Sequence, residues 1–276
     1  PLRVLHEYRM SRKSVAATLD WIAEHDLETL RQMTGIGEAR MALVPLACEV
    51  LTALMRALKP REIAVSSYGI REGLLYEQMP QALRVRDPLI EACAFAEHKD
   101  ARLPGFGKSL YKFILPLFEK APDERKRLLR AACHLHDVTW RAHPDYRHEA
   151  CFDNVTRANL GGLTHGERVF LGLALLHRYK NSRSDSRLTP LFGLLSEKEI
   201  TEAEVLGKAM RFGAMLAVDQ AEKMGALSWD ARRKRLTLSL TPHARGLFGE
   251  VAEARFNSLA ASLEARTEVR VLQSSN

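Results

Sequence analysis

The residues of this sequence best suited to metal chemistry form a His-Asp doublet, His136-Asp137, at the end of an apolar helical stretch. Adjacent imidazole and carboxylate groups can reach one divalent ion where the chain bends at a helix end. His148 and His177 could supply further imidazoles, and such a centre would activate water against a phosphoester. In the alternative interpretation, His136 is a half-buried histidine and Asp137 ends the helix. We therefore expect at most a vestigial metal site at these residues.

Two gaps in the surrounding pattern count against a complete metal site. The stretch before the doublet, 107–120, contains no histidine, and His98 further upstream is predicted to lie in a different helix. In a later helical stretch, Ala214 stands shortly after an Arg-Phe pair, where a His-Asp hydrolase would want an aspartate. The sequence thus offers fewer ligands than a functional transition-metal site requires.

A second candidate for phosphate chemistry is the segment SSYGIREG, residues 66–73. A strand that ends in small residues before a glycine turn lets backbone amides approach phosphate oxygens, which favours Ser67 and Gly69 as phosphate-binding residues. Arg71 in the same turn could make a forked contact to a phosphate. The alternative is an ordinary strand-to-helix turn in which Arg71 and Glu72 are surface charges.

The charge balance favours an anionic partner. The chain carries 41 Lys and Arg against 34 Asp and Glu, a formal net charge of +7 at pH 7. Such a surplus suits nucleic acid, a phosphorylated metabolite, another polyanion or an acidic membrane surface. Basic residues cluster at 177–187, at 232–235 and at Lys126, Arg127 and Arg130. Aromatic residues are sparse beside these clusters, so single-stranded nucleic acid is less supported than a phosphate polyanion.

Cysteine usage and hydropathy predict a cytoplasmic protein. The cysteines Cys48, Cys93, Cys133 and Cys151 include no C-x-x-C pair, which is typical of a reducing compartment. No apolar run approaches the roughly 18 residues of a membrane span, and no signal peptide is recognisable. Phosphate-loop, nucleophile-elbow and H-E-x-x-H motifs are absent from the sequence.

The spacing of apolar residues along the chain predicts a mostly α fold with a small α/β part. Residues 1–82 are predicted to be the α/β part. They read as a helix over 11–30, a second helix from Pro45, a short strand at 62–67 and a further helix after the glycine turn.

The rest of the chain divides at the point where strand patterning returns. Residues 83–225 are predicted to be helical, with capping boxes at Thr164–Glu167 and Thr201–Glu204. Residues 226–276 are predicted to form a small α/β tail. In this tail a strand over 236–240 pairs with the segment just before it, and a final helix runs to about Arg266.

Several motifs occur in the order and spacing of one known family. RMALVPLACEVL at 40–51 and IAVSSYGIREGLLYE at 63–77 resemble its Arg-led helix, Val-Ser strand and Arg-Glu-Gly turn. LLRAACHLHDVTWRAHPDYRHEACFDNV at 128–155 and GLTHGERVFLGLALLHRYKN at 162–181 resemble its helical domain, with a Leu-His-Asp unit before further histidines. Over residues 1 to about 225, the chain resembles the later part of exopolyphosphatases and guanosine pentaphosphate phosphohydrolases, the Ppx/GppA family.

This resemblance implies a partial ribonuclease H-like lobe of the actin and hexokinase type, followed by an all-helical HD-like domain. It implies a homodimeric parent enzyme that uses Mg²⁺ to hydrolyse the terminal phosphoanhydride of inorganic polyphosphate or guanosine pentaphosphate. The family's main catalytic motifs belong to a first lobe and are not found in these 276 residues, so the catalytic residues are expected outside this chain. The part present is expected to be inactive alone, to bind the polyanion with Arg71, and to pack domains.

The sequence leaves two other functions open. One is an autonomous HD-type metal phosphohydrolase that acts on a nucleotide, with His136, Asp137 and His148 as ligands. The other is a basic helical module, not an enzyme, that binds nucleic acid or another protein. A transition metal bound at the doublet would favour the first function, and base-dependent DNA binding would favour the second.

Overall fold

The structure of the chain is a computed structural model that describes residues 2–182, 187–217 and 219–272. The described chain is mostly helical with small sheets, which confirms the predicted fold class at that level. It divides into two compact units: Val4–Gln78, and the residues from Met79 onward together with Leu2 and Arg3. The larger unit includes the described part of the tail. The predicted boundaries at 82/83 and 225/226, and the ribonuclease H-like and HD-like assignments, stay predictions.

The smaller unit combines a two-stranded antiparallel sheet with short and medium helices. In the sheet, Arg9 lies opposite Ala64 and Ser11 opposite Glu62. The predicted strand at 62–67 is therefore present but shorter, and its partner strand is an addition to the prediction. The elements are β1 (Arg9–Ser11), α1 (Arg12–Ala23), α2 (Leu27–Thr34), α3 (Glu38–Met41), α4 (Val44–Leu58), β2 (Glu62–Ala64) and α5 (Ile70–Gln78).

The single helix predicted over 11–30 is two helices in the structure, because Asp26 caps a new one. Its Oδ1 accepts the backbone N–H of Thr29 at 2.9 Å. An aspartate in this position satisfies the free amides of a first turn, so it favours a helix start over helix continuation. α2 then ends at Gly35, whose φ of 69° lies in the left-handed region that favours glycine.

The smaller unit buries little of its apolar surface. Its buried apolar side chains are Val15, Leu30, Met41 and Met55. α5 has no buried residue. Large apolar side chains on α4 and α5 are instead exposed, namely Leu46, Val50, Leu54, Leu58, Ile70, Leu74, Leu75 and Tyr76. Exposed apolar side chains in this number, if they form one patch, are typical of a face that contacts another protein segment.

One helical segment in the described chain, Glu38–Leu58, is long and apolar enough to cross a membrane. This corrects the expectation that no run approaches that length. The prediction looked for an uninterrupted apolar run, whereas Glu49 and Arg56 interrupt this helix without making it polar on average. A lone helix of this kind is weak evidence for a membrane span, because helices of soluble proteins share its length and composition.

The larger unit is a helical layer followed by a small sheet. Pro116, predicted to kink a helix, lies in a 3₁₀ turn that follows the end of a helix at Ile114. The elements are α6 (Gln81–Arg84), α7 (Pro88–Asp100), α8 (Phe106–Ile114), α9 (Asp123–Leu135), α10 (Arg147–Arg157), α11 (His165–Tyr179), α12 (Thr189–Phe192), α13 (Glu197–Leu216), α14 (Ala221–Met224), β3 (Gly225–Asp230), β4 (Arg235–Leu240), α15 (Glu250–Ser262) and β5 (Arg266–Val271).

α11 and α13 cross closely at the centre of this unit. A Cβ atom on Gly207 of α13 would lie 2.3 Å from the carbonyl oxygen of Ala174 and 2.4 Å from Cβ of His177. Only glycine permits this approach of the two backbones. The crossing fixes the end of α11, which carries His177 and the residues that follow it, against α13.

Capping boxes set the start of both central helices. In α11 the box is Thr164–Glu167, as predicted. In α13 it is Ser196–Glu199, so the predicted box at Thr201–Glu204 is wrong. Thr201 already lies inside the helix, where its hydroxyl donates to the carbonyl of Glu197 at 3.0 Å.

The C-terminal sheet contains the predicted hairpin and one strand more. β3 pairs antiparallel with β4, with Gly225 opposite Leu240. The helix predicted to reach Arg266 ends at Ser262, and the chain then forms β5, which is parallel to β4 with Leu238 opposite Val269. Parallel neighbours need a crossover connection, and α15 supplies it.

Candidate functional site

The His-Asp doublet lies at the C-terminal end of α9. The helix ends at Leu135, and His136 is the next residue. His136 and Asp137 are each only 4% exposed. The apolar stripe of α9, which includes Leu128 and Leu129, is buried in the core, and this packing carries the doublet into the interior of the unit.

Asp137 is engaged by an arginine. Nε and Nη2 of Arg102 donate to its two carboxylate oxygens at 2.8 Å and 2.6 Å, and the backbone N–H of Arg102 donates at 3.3 Å. Burial opposes the ionisation of Asp137, but the hydrogen bonds and charge of Arg102 outweigh it, so the pKa of the carboxyl is lowered. The carboxylate is therefore ionised at neutral pH, and a guanidinium neutralises it.

His136 is buried and neutral. Its Nδ1–H donates to the carbonyl of Cys133 at 2.8 Å, and its ring lies 5.3 Å from that of Phe106. Burial, followed by the charge of Arg178, lowers the pKa of His136 to about 4. The imidazole can therefore act as a hydrogen-bond donor through Nδ1 at neutral pH, but it does not add a charge there.

The other predicted ligands do not join the doublet in a metal site. Nζ of Lys180 lies 3.2 Å from Nε2 of His148, where a cation would compete with a metal. His177 is fully buried on α11, and His98 is exposed on α7. In the part of the chain that the structure describes, no group of His, Cys, Asp and Glu is placed to hold a metal ion. These residues therefore do not support an autonomous metal phosphohydrolase.

The donor set also does not fit the Mg²⁺ that the family resemblance implies. Mg²⁺ prefers carboxylate and water oxygens. The two buried carboxylates near the end of α9 are Asp137, which Arg102 binds, and Glu97, which bonds to protein donors on both oxygens. We therefore assign no Mg²⁺ ligand among the described residues.

Glu97 and His134 form a buried pair that the sequence prediction missed. Glu97 Oε2 lies 2.6 Å from Nδ1 of His134, and its Oε1 accepts the backbone N–H of Gly107 at 2.7 Å. The pair joins α7, α8 and α9 beneath the doublet. The only sequence signal was the first histidine of the His-x-His-Asp run, and its acidic partner lies 37 residues earlier.

The glycine turn before α5 is a strand-to-helix turn whose amides are already in use. Nδ1 of His6 accepts the backbone N–H of Ser67 at 3.2 Å, and Glu72 Oε2 accepts that of Gly69 at 2.7 Å. Arg71 is exposed in the first turn of α5 and makes no ion pair with the residues that the structure describes. Arg71 thus presents an uncommitted donor group, and the phosphate-binding roles of Arg71, Ser67 and Gly69 stay predictions.

Most of the basic residues clustered in the sequence are paired within the chain. Arg127 binds both oxygens of Asp87 and the carbonyl of Gly162. In the stretch 232–235, carboxylates contact the last three side chains: Arg233, Lys234 and Arg235. Residues 183–186, which belong to the basic cluster at 177–187, lie outside the described residues. Runs of positive charge in the sequence are thus poor guides to unpaired charge in the structure.

Arginines that are distant in sequence form a different cluster. Arg178 of α11, Arg211 of α13 and Arg255 of α15 are partly buried. Burial, then the charges of Arg255 and Arg178, lowers the pKa of Arg211 to about 10. Sequence reasoning placed Arg178 in the basic run at 177–187 but missed Arg211 and Arg255, which are single basic residues on apolar helices. The available sequence signal was that Arg211 lies one helical turn after Gly207, the residue at which α13 approaches α11.

Comparison with protein families gives two matches, which together cover most of the chain. Residues 92–269 match the family model for the C-terminal domain of exopolyphosphatase. Residues 1–82 match the model for the Ppx/GppA phosphatase family. A search of curated proteins found no match.

Proposed function

Because the chain belongs to the Ppx/GppA phosphatase family, we propose that it is the C-terminal part of an exopolyphosphatase-type enzyme. The parent enzyme, a cytoplasmic homodimer, hydrolyses the terminal phosphoanhydride of inorganic polyphosphate or guanosine pentaphosphate with Mg²⁺. The part present binds the polyanion and packs domains, and residues outside it break the bond. The observation that carries this proposal is the match of residues 92–269 to the exopolyphosphatase C-terminal domain.

The distribution of charge supports a role in polyanion binding. Around the end of α11, the guanidiniums of Arg147 and Arg178 lie 5.5 Å and 5.0 Å from the ring centre of Tyr179, and Nζ of Lys180 lies 3.2 Å from Nε2 of His148. A partly buried positive region attracts a multiply charged anion more strongly than scattered surface charge does, because it is less screened by salt.

A phosphate-release assay tests whether the bond-breaking residues lie outside this chain. We expect the 276-residue chain with Mg²⁺ to release little or no phosphate from long-chain polyphosphate or from guanosine pentaphosphate. Metal analysis of the same sample should find no stoichiometric Mn, Fe or Zn. Robust turnover by this chain, lost on substitution of His136 or Asp137, would instead favour the metal phosphohydrolase.

Competition binding tests the partner. We expect long-chain polyphosphate to displace single-stranded DNA from the chain, and Arg71→Ala to weaken polyphosphate binding without changing the circular dichroism spectrum. Arg40→Ala is the matched control, because Arg40 is an exposed arginine of the same unit. Base-dependent preference for DNA would contradict the assignment, and unchanged affinity in Arg71→Ala would place the contact elsewhere.

A further inference from the structure

Three neighbouring helices of the larger unit, α11, α13 and α15, each carry one arginine of this cluster. A hydrogen bond from Ser258 Oγ of α15 to Oδ1 of Asn181, 2.7 Å long, ties α15 to the segment just after α11. Arg255 precedes Ser258 by three residues and therefore shares its helix face. Arg178 precedes Asn181 by three residues along the chain. The tie thus brings Arg255 and the last turn of α11 together.

Arg211 completes the cluster from α13. It lies one turn after Gly207, where α13 touches the backbone of Ala174 and His177. Arg178 directly follows His177, so it stands beside this crossing. Arg211 is near enough to Arg178 and Arg255 for their charges to act on it. The cluster therefore rests on contacts between all three helices.

Two arginines of this cluster each contain a buried guanidinium nitrogen without a hydrogen-bond partner among the described residues, although Arg178 also stacks on the ring of Tyr179 at 5.0 Å. These nitrogens are Nε of Arg178 and Nε of Arg255. The described chain also gives no ion pair to Arg178, Arg211 or Arg255, whereas Arg125, a similarly buried arginine, pairs with Glu199 at 2.9 Å. Buried donors and like charges left without acceptors cost free energy, and such an arrangement in a folded protein calls for an anion.

We propose that Arg178, Arg211 and Arg255 form a binding site for a phosphate group, and that this phosphate holds α15 against α11 and α13. The ligand is a tetrahedral phosphate oxyanion, either free or as part of a condensed phosphate chain. Forked guanidinium donors match its oxygens from three sides. This inference rests on the proposed function and adds to it a structural role: the anion is the counter-ion that completes the packing of the C-terminal layer.

Thermal unfolding of the 276-residue chain tests the site. We expect inorganic phosphate and tripolyphosphate to raise the Tm by several degrees above NaCl of equal ionic strength. The larger shift of the two identifies the source, a free phosphate or a condensed chain. If neither anion exceeds the NaCl control, the proposal is overturned.

Substitutions at the proposed site should change the Tm in the opposite direction from substitution of an arginine that is already paired. Arg255→Gln and Arg211→Gln each remove a positive charge that has no partner, so the Tm without phosphate should stay level or rise, and the phosphate-induced shift should be lost. Arg125→Gln breaks an existing ion pair, so its Tm should fall while its phosphate shift persists. Arg232→Gln removes an exposed charge and should leave both quantities unchanged.

Calorimetric titration with tripolyphosphate keeps the proposal testable if a glutamine variant fails to fold. Arg211→Lys keeps the charge and loses the fork, and we expect its Kd to rise by about tenfold, the value of one charged hydrogen bond. Equal affinity of wild type, Arg211→Lys and Arg255→Gln would overturn the site. If the wild type retains long-chain polyphosphate and these variants retain it equally, the proposed function stands and the site alone fails.

Discussion

At the scale of single residues, the guanidinium of Arg102 stands where a His-Asp doublet would otherwise offer its carboxylate to a metal. The bidentate contact neutralises Asp137 and satisfies both of its oxygens. Arg102 is half exposed while Asp137 is buried, so the pair is open to solvent on one side only. Its loss would leave an unpaired negative charge inside the unit.

We predict that Arg102→Ala lowers the free energy of unfolding by about 2 kcal/mol, less than a fully buried pair would cost because solvent reaches one partner. Urea denaturation followed by circular dichroism measures the change. Arg141→Ala is the control, because Arg141 stacks on Trp140 as Arg102 does but makes no ion pair with Asp137 in the described residues. In an Asp137→Asn background, Arg102→Ala should cost less than about 1 kcal/mol; an equal cost in both backgrounds would contradict the pair.

His136 makes the stability of the chain depend on pH. Its pKa is about 4 in the folded protein and about 6.5 in an unfolded chain. Between these values the unfolded state binds a proton that the folded state does not, so stability is full above pH 6.5 and falls as the pH drops toward 4.

We predict that the free energy of unfolding decreases by about 2 kcal/mol from pH 7 to pH 5 through this residue. His136→Asn keeps a donor for the carbonyl of Cys133 and should flatten the profile in this range, although the variant is less stable at pH 7. Urea midpoints at several pH values measure both effects. A variant profile as steep as that of the wild type would assign the dependence to another group.

At the scale of elements, the start of α13 depends on Ser196 rather than Thr201. The Ser196 hydroxyl accepts the N–H of Glu199, and the Glu199 carboxylate accepts the N–H of Ser196. We predict that Ser196→Ala destabilises the chain by about 1 kcal/mol. Thr201→Ala, which removes only a bond within the helix, should cost clearly less. Chemical denaturation of both variants compares them, and the reverse order would restore the predicted capping box.

Local signals in the sequence predicted the elements where one interaction dominates. Thr164 and Glu167 are three residues apart, and the β3–β4 hairpin closes over a short turn, so both follow from neighbours. Thr201 has the same local pattern as Ser196, and only the packing of the preceding segment selects between them. β5 was missed because its charged, exposed residues resemble a helix end, and its pairing partner, β4, lies about thirty residues away.

Prediction of the candidate site from the sequence was limited in the same way, by contacts between residues that lie far apart in the chain. His136 and Asp137 could be named from their types and spacing. Arg102 could not, because the bond that occupies Asp137 joins residues 35 apart. Sequence distance hides the arginine cluster even more, since its members come from three helices. Chemistry that depends on tertiary contacts is not readable from spacing alone.

At the scale of the whole molecule, the two units differ in how much apolar surface they bury. The hydrophobic core of the larger unit extends from Leu89 to Ala260 and joins helices to the sheet. The smaller unit has few buried apolar side chains and a largely exposed α4. Burial of apolar surface is the main driving force of folding, so the units should differ in autonomy.

We predict that a protein of residues 79–276 unfolds cooperatively on heating without the smaller unit, whereas Val4–Gln78 alone shows no cooperative transition. Circular dichroism melts of the two pieces measure this, with the full chain as the reference. A cooperative transition in the smaller piece, at a midpoint near that of the larger, would contradict the prediction.

Trp140 gives this molecule an internal optical reporter. Its indole N–H donates to the carbonyl of Asp100 at 2.9 Å, and the guanidiniums of Arg102 and Arg141 lie 5.7 Å and 4.7 Å from its ring centre. Positive charge beside an indole shifts its excited state, so emission from Trp140 senses whether Arg102 stays with Asp137. With Trp21 and Trp229 replaced by phenylalanine, fluorescence would follow the Arg102–Asp137 ion pair in real time without any attached dye.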